Sequence, residues 1–373
     1  MKGGRALGAW LAVVAMAMVM AVAVSALPSR DSGNIAMVTE SERAQEALLG
    51  GQFHEILGDG PLVLEFAAFA LKHNKVYNSL VELQYRFETF VKNYELIEKT
   101  NQQDLPYKLG INKFADMPME EFRRMHLGQK QEDCSATEGT HKLRMKNDAA
   151  LPEKKDWRLD NIVSPVKDQA SCGSCWTFST TGALESAHAQ ATGNMVLLSE
   201  QQLVDCAGAF NNFGCGGGLP SQAFEYIRYN GGIDSEEAYP YHALDETCKF
   251  KPSAVGAKVY DVVNITAYDE DELKDAVAFQ RPVSIAFEVI DGFNLYSSGV
   301  YTTEYCNTGP ETVNHAVLAV GYDTTGDIPY WIIKNSWGVE WGLDGYFKME
   351  MGKNMCGIAT CSSYPLVPED LLR

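Results

Sequence analysis

The chain is short of positive charge. Its 373 residues hold 31 Lys and Arg against 49 Asp and Glu, a formal net charge of −18. Residues 151–373 carry nearly all of the excess, with 14 basic against 30 acidic side chains. Nucleic-acid binding wants a basic face, so no nucleic-acid partner is expected. A solvated acidic surface is the reading that remains. Long apolar runs are scarce too. Only Leu7 to about Val24 approaches bilayer-spanning length. Lys2 and Arg5 precede it and Val24-Ser25-Ala26 follow it, the pattern of a secretory signal peptide cleaved after Ala26. A transmembrane anchor is the competing reading, which the small-residue cleavage site disfavours. No stable membrane insertion of the mature protein is expected. The chain has no internal repeat and no low-complexity tract, which excludes repeat and fibrous architectures. It also lacks a second close cysteine pair near a His. Cys172 and Cys175 therefore make no zinc site, and no metal or cofactor is expected.

Cysteine itself is plentiful. Nine cysteines in a secreted chain imply disulfides, and the odd number leaves one thiol free. Cys175 stands in Gln169-Ala-Ser-Cys172-Gly-Ser-Cys175-Trp176, followed by Thr-Phe-Ser-Thr-Thr-Gly-Ala-Leu-Glu, which opens a helix. A thiol at a helix N-terminus feels the positive end of the dipole, and its thiolate is favoured. His315 and Asn335 lie about 140 and 160 residues downstream. Thiol and imidazole together can exist as thiolate and imidazolium, a nucleophile already formed at rest. Each part alone has a plainer explanation: a redox Cys-x-x-Cys, a core His, a turn Asn, a core Trp at 337.

Upstream, residues 27–150 are charged and helix-rich. Apolar residues recur at helical spacing from Phe66 to Ile97, predicting one long helical pattern. Glu82, Arg86, Phe90, Asn93, Ile97 and Asn101 share one face, and Glu82 and Arg86 are spaced as an i,i+4 ion pair. Gly110, Asn112, Phe114 and Asp116 follow. Beyond residue 150, Ser199-Glu-Gln-Gln202 reads as a capping box, Ser221 to Tyr229 as a helix, and Val313–Tyr322, Tyr330–Lys334 and Gly345–Met349 as strands. A helical half followed by a β half predicts an α+β fold.

The Cys-Gly-Ser-Cys-Trp run with its distant His and Asn resembles the papain-like cysteine peptidases. The six helix-face residues match the ERFNIN pattern of the propeptides in that family, and Gly-x-Asn-x-Phe-x-Asp matches their second motif. The resemblance implies a two-subdomain fold, helical on the left and β-barrel-like on the right, preceded by a helical inhibitory propeptide. It divides the chain into signal peptide 1–26, propeptide 27–150 and mature peptidase 151–373. It implies that Cys175 is the nucleophile, His315 the base, Asn335 the orienting amide under Trp337, and Gln169 an oxyanion donor with the Cys175 backbone N–H. It implies disulfides Cys172–Cys215, Cys206–Cys248 and Cys306–Cys356. Two cysteines are left, Cys134 and Cys361. Glu132-Asp-Cys134-Ser-Ala-Thr137 is similar to the mini-chain of the cathepsin H and aleurain branch. That segment, about 130–137, would be kept by a Cys134–Cys361 bridge and would narrow the enzyme to an aminopeptidase with residual endopeptidase activity; a discarded pro-segment is the plainer reading of Cys134. Gly217, Gly218, Leu219, Pro220, Ala286, Val313 and Ala316 match positions that line the substrate cleft, with Trp337 beside it. Asn264-Ile-Thr is a glycosylation sequon. The partners implied are peptide and protein substrates and the enzyme's own propeptide, with a monomer expected in a lysosome or vacuole, or outside the cell. The Pro and Arg of a plant vacuolar signal are absent from Asn34-Ile35-Ala36-Met37. An endopeptidase is the main rival; an inactive inhibitor or binding homologue and a storage protein on the same fold are the others.

Overall fold

The computed structural model describes Phe53, residues 56–58 and 60–128, Cys134, and residues 150–372. The signal peptide and all of the mini-chain except Cys134 lie outside the described residues. The chain forms two compact units. One comprises the N-terminal residues to Lys99 with Ile111–Pro118; the other comprises Thr100–Gly110 with Met119–Arg373.

In the first unit, α1 (Val63–Lys72) and α2 (Leu80–Asn101) replace the single helical pattern expected. The break has a local cause. Asn74 adopts φ +50°, which Asn tolerates better than most residues. A new helix start follows at once. Ser79 Oγ accepts the Glu82 N–H at 3.1 Å, and the Glu82 carboxylate accepts the Asn78 N–H at 2.8 Å. Ser-x-x-Glu is a capping signature, so Glu82 serves the helix end. Phe66 sits within 5.6 Å, centroid to centroid, of Phe53, Tyr77, Phe87 and Phe90. The α2 face holds the second propeptide motif: Arg86 donates to the Asp116 carbonyl at 3.3 Å, and Asn93 Nδ2 to the Ala115 carbonyl at 2.9 Å. The buried Asp116 carboxylate accepts from Lys75 Nζ at 2.7 Å and Tyr77 OH at 3.0 Å.

The second unit has a helical part and a sheet part. Its helices are α3 (Met119–His126), α4 (Cys175–Thr192), α5 (Glu200–Cys206), α6 (Pro220–Asn230) and α7 (Glu270–Phe279). The sheet runs β1 (Tyr107–Leu109), β7 (Tyr296–Tyr301), β10 (Tyr346–Glu350), β9 (Tyr330–Lys334), β8 (His315–Asp323), β6 (Val283–Phe287), β11 (Ser363–Leu366), β5 (Asp261–Asn264), with β2 (Lys154–Asp156) also paired to β8. Pairing in this sheet is antiparallel except between β10 and β7, and β3 (Ile233–Asp234) and β4 (Val255–Ala257) form a separate antiparallel pair. This is the α+β architecture expected.

Two details place the site. Helix α4 is buried on nearly every side from Cys175 to Ala189, so it runs through the core and not along its surface. It lies close on β8: a Cβ at Gly182 would meet Leu318 Cδ2 at 3.2 Å, and Ser179 Oγ donates to the Val317 carbonyl at 2.6 Å. At α5, Ser199 Oγ accepts the Gln202 N–H at 3.0 Å, half of the expected capping box. The other half is diverted. The Ser199 N–H is already bonded to the Asp234 carbonyl, so the Gln202 amide turns to the Asp234 N–H and to Tyr226 OH.

Beneath α4 lies a charged network. Lys167 Nζ bridges Glu185 at 2.7 Å and Glu200 at 2.6 Å, and Lys334 Nζ donates to Ser164 Oγ, itself bonded to Glu185. Burial raises the Glu185 carboxyl, but Lys167 and Lys334 outweigh it and hold the group below its ordinary range. Burial pushes Lys334 down to about 8. Among the described residues, no helix is long and apolar enough to cross a membrane, and no group of three or more His, Cys, Asp or Glu is placed to hold a metal.

Candidate active site

Cys175 is the first residue of α4, and His315 is the first residue of β8. The close packing of this helix on this strand brings the two together. The Ala316 N–H points at Cys175 Sγ, 3.4 Å away, which sets the sulfur beside the residue next to His315. Cys175 is the one free cysteine among the described residues, and it is buried. His315 Nε2 shares a 2.8 Å hydrogen bond with Asn335 Oδ1, and its ring stacks on Trp337 with centroids 4.6 Å apart. Trp341 meets Trp337 edge-on at 4.8 Å. His315 Nδ1, buried, has no protein partner. The ring is thus held by one nitrogen while the other is left available.

Gln169 is held from both sides. Its N–H donates to the Ser336 carbonyl at 2.8 Å, and its Oε1 accepts from Ser336 Oγ at 2.8 Å. This leaves Nε2 as the free end, and it donates to the carbonyls of Cys172 and His126, both at 2.9 Å. Sequence reasoning missed His126. It belongs to α3, upstream of residue 150, and the chain continues from it across the site. The Gly128 N–H donates to the Asn314 carbonyl at 2.9 Å. A Cβ at Gly173 would come within 2.8 Å of the Leu127 carbonyl. Phe122 meets Trp337 edge-on at 5.0 Å. Residues 122–128 therefore cover Cys175, His315 and Gln169.

That cover decides the charge state. Burial pushes the Cys175 thiol up, against the lowering effect of the Ala316, Gly128 and Trp176 amides. Burial pushes His315 down to about 4, against its bond to Asn335, and a charge on His126 would push it further down. The expected thiolate and imidazolium are thus opposed in the covered form. Desolvation penalises two buried charges more than local hydrogen bonds favour them.

The residues matched to the cleft fall on the same side. Ala286, Val313 and Ala316 are buried in one apolar cluster with Cys175 and Trp176, and Leu219 is buried as well. Ala286 and Ala316 face each other across β6 and β8. Pro220 opens α6. Gly217 sits at φ +117°, and a Cβ at Gly218 would strike the Trp176 ring at 2.7 Å, so the close approach at 218 requires glycine. A Cβ at Gly128 would lie 3.6 Å from Gly217 Cα. Asn264 is the last residue of β5.

The disulfides are Cys172–Cys215, Cys206–Cys248, Cys306–Cys356 and Cys134–Cys361, with Cα atoms 4.8, 4.9, 5.1 and 5.1 Å apart. Cys134 is held a second time, because Ser221 Oγ donates to its carbonyl at 3.0 Å. Sequence reasoning missed Ser221, Ser336 and Tyr241. Tyr241 OH bonds Ser174 Oγ at 2.6 Å and the Gln169 carbonyl at 2.8 Å. The only sequence signal for Ser336 and Tyr241 was proximity to a singled-out residue (Asn335) and to a Tyr-Pro-Tyr turn.

Comparison with known proteins identifies the family. Residues 151–366 match the papain family cysteine protease model, and residues 66–122 match the cathepsin propeptide inhibitor domain. The chain is 65% identical over 305 residues to the oryzain gamma chain of Oryza sativa subsp. japonica, covering 82% of this chain and 83% of that protein. It is 58% identical to the thiol protease aleurain of Arabidopsis thaliana, covering 95% of this chain and 97% of that one. It is 56% identical to pro-cathepsin H of Medicago truncatula, with coverages of 93% and 96%. Among solved structures, the digestive procathepsin L2 proteinase of Tenebrio molitor larval midgut is similar with a TM-score of 0.76 and 40% identity, over 81% of this chain and 99% of that one. The chain belongs to the papain family of cysteine proteases, and it is a zymogen whose propeptide inhibitor domain is part of the same polypeptide.

Proposed function

We propose that this zymogen matures into an aminopeptidase that keeps some endopeptidase activity. The signal peptide would end at residue 26, the propeptide would be 27–150 and the mature enzyme 151–373. Cys175 Sγ attacks the scissile carbonyl and His315 carries the proton to the leaving amine. Asn335 holds the imidazole without adding a charge that would neutralise the ion pair. Gln169 Nε2 and the Cys175 N–H receive the oxyanion. In the covered form Gln169 Nε2 already donates to a carbonyl oxygen, that of His126, which supports this role. Removing residues 122–128 returns water to the thiol and imidazole, and with it the solvation that an ion pair needs. The apolar surface of Leu219, Ala286, Val313 and Ala316 would receive a substrate side chain. Asn264 would carry a glycan. The enzyme would act as a monomer on peptides and proteins, in a lysosome or vacuole or outside the cell.

The observation that carries the aminopeptidase reading is the Cys134–Cys361 disulfide. It joins a residue upstream of the peptidase to the peptidase body, so a short segment around Cys134 outlasts cleavage on either side. A covalent tether keeps such a segment at millimolar effective concentration or above, where an untethered octapeptide would be lost by dilution. If cleavage follows Thr137, the new carboxylate can pair with the α-amino group of a substrate and block longer chains. The test uses matched peptides with a free and an acetylated N-terminus and the processed enzyme. The free peptide should be cut at least tenfold faster, and reduction that releases the Cys134 peptide should narrow the gap. Equal rates on both peptides before reduction would leave the endopeptidase reading in its place.

A further inference from the structure

We infer that Tyr241 is a positioning residue for the oxyanion site: its hydroxyl ties the Gln169 backbone to Ser174 and so fixes the two oxyanion donors relative to each other. This rests on the roles proposed above for Gln169 and Cys175, and it goes beyond them in naming what sets their spacing.

The two donors come from different pieces of chain. Gln169 lies in the loop before the Cys172–Cys215 disulfide, while the Cys175 N–H belongs to the first residue of α4. Nothing in helix geometry relates one to the other. The loop between them carries a left-handed residue, Ala170 at φ +49°, so its path is not set by ordinary backbone preference. Ser174, the residue before Cys175, makes no side-chain cap to its own helix. Its hydroxyl instead meets Tyr241 OH at 2.6 Å, and the same Tyr241 OH donates to the Gln169 carbonyl at 2.8 Å. One oxygen therefore bridges the flanks of both donors. A phenol has a single proton, which the Gln169 carbonyl takes, so Ser174 Oγ must donate to Tyr241. The chain of bonds runs Ser174 to Tyr241 to Gln169 in one direction only.

Tyr241 is itself anchored. Its ring meets Phe178 edge-on at 5.0 Å, and its N–H donates to the Glu236 carboxylate at 2.9 Å. The far side of Gln169 is held by Ser336. Ser336 orients the amide, and the Cys172–Cys215 disulfide anchors the middle of the loop; the Tyr241 bridge is what ties the Gln169 backbone to the residue before Cys175. An oxyanion site stabilises a transition state through donors that are in place before charge develops, so looseness costs rate and not substrate binding. Tyr241 touches no reacting atom in this arrangement, and its effect passes through Gln169 and Ser174.

The test compares Tyr241→Phe, Ser174→Ala, the double variant and Gln169→Ala as processed enzymes. Tyr241→Phe keeps the ring against Phe178 and removes one oxygen. We expect its kcat to fall roughly three- to tenfold with KM unchanged, the worth of one hydrogen bond. Affinity for a peptide aldehyde, whose adduct with the thiol carries an oxyanion, should fall by the same factor. Affinity for the matching peptide alcohol, which forms no adduct, should not change. The double variant should be no worse than Tyr241→Phe, because both break one bridge. Gln169→Ala should fall by about 10²–10³. If Gln169→Ala loses activity while Tyr241→Phe keeps both kcat and aldehyde affinity, this inference is wrong and the oxyanion assignment stands. If Gln169→Ala itself keeps full activity, the oxyanion assignment fails. A Tyr241→Phe enzyme that loses thermal stability and binds aldehyde and alcohol equally less well would make Tyr241 a general support of the fold and overturn the inference.

Discussion

Burial beneath residues 122–128 pushes the His315 imidazole down to about 4, against its bond to Asn335. The Cys175 thiol is pushed up by the same burial. Thiol with neutral imidazole and thiolate with imidazolium carry the same number of protons, so uncovering the pair moves a proton from sulfur to nitrogen and takes up none from solvent. The open pair therefore titrates as a unit, with His315 charged as long as Cys175 is ionised. The measurement is kcat/KM of the processed enzyme against pH: it should be level between about pH 5 and 7, whereas a single inflection at about 6.5, the ordinary imidazole value, would show His315 titrating alone and contradict the account. Cys175, His315 and Asn335 stood out in the sequence because side-chain chemistry is written in residue type. His126, Ser336 and Tyr241 did not, because a backbone carbonyl or a bridging hydroxyl contributes through position, and position belongs to the fold.

Helix α4 carries the nucleophile at its first residue and is braced from below by Lys167, Glu185 and Glu200. Lys334, whose neighbour is Asn335, shares Ser164 with Glu185, so the brace also ties the helix to the strand end that presents the orienting amide. Lys167→Met leaves the Glu200 carboxylate without its bonded cation and Glu185 with Lys334 alone. Breaking a buried pair in this way costs about 3–5 kcal/mol. Thermal unfolding of the processed variant should fall by roughly 10 °C. A shift under 2 °C would mean that water or a proton replaces the lysine without cost. At this scale the sequence was a good guide to strands: β9 has the bounds expected, and β8 and β10 differ by a residue or two. Alternation of β-branched and aromatic residues is a local signal. The propeptide helices were less legible. Apolar spacing ran through the break at Asn74, and the Ser79–Glu82 cap was hidden behind a plausible Glu82–Arg86 pair. Spacing is blind to a residue in the left-handed region.

Cys134–Cys361 spans 227 residues of sequence, the longest reach of the four disulfides. Cys361→Ser removes the covalent tie and leaves the Ser221 bond to the Cys134 carbonyl. One exposed or half-buried hydrogen bond, worth about 1 kcal/mol, cannot retain a cleaved octapeptide at low concentration. Mass spectrometry of the processed variant should find no Cys134 peptide, whereas the unmodified enzyme should release it only on reduction. A peptide that stays bound without the disulfide would show that non-covalent contacts suffice. The family resemblance pointed to this pairing, because two cysteines far apart in sequence say nothing by themselves about which partner each meets.

Cys175 must change from an inert buried thiol to a reactive one when residues 122–128 leave, and alkylation with iodoacetamide at pH 5 measures this directly. At that pH an ordinary thiol, with a pKa near 8.5, is almost wholly protonated and slow. The account predicts one fast-labelled site per processed molecule, Cys175, with activity lost in step with labelling and no fast site in the intact zymogen. Slow labelling at Cys175 in the processed enzyme, or peptidase activity that survives its complete alkylation, would contradict it.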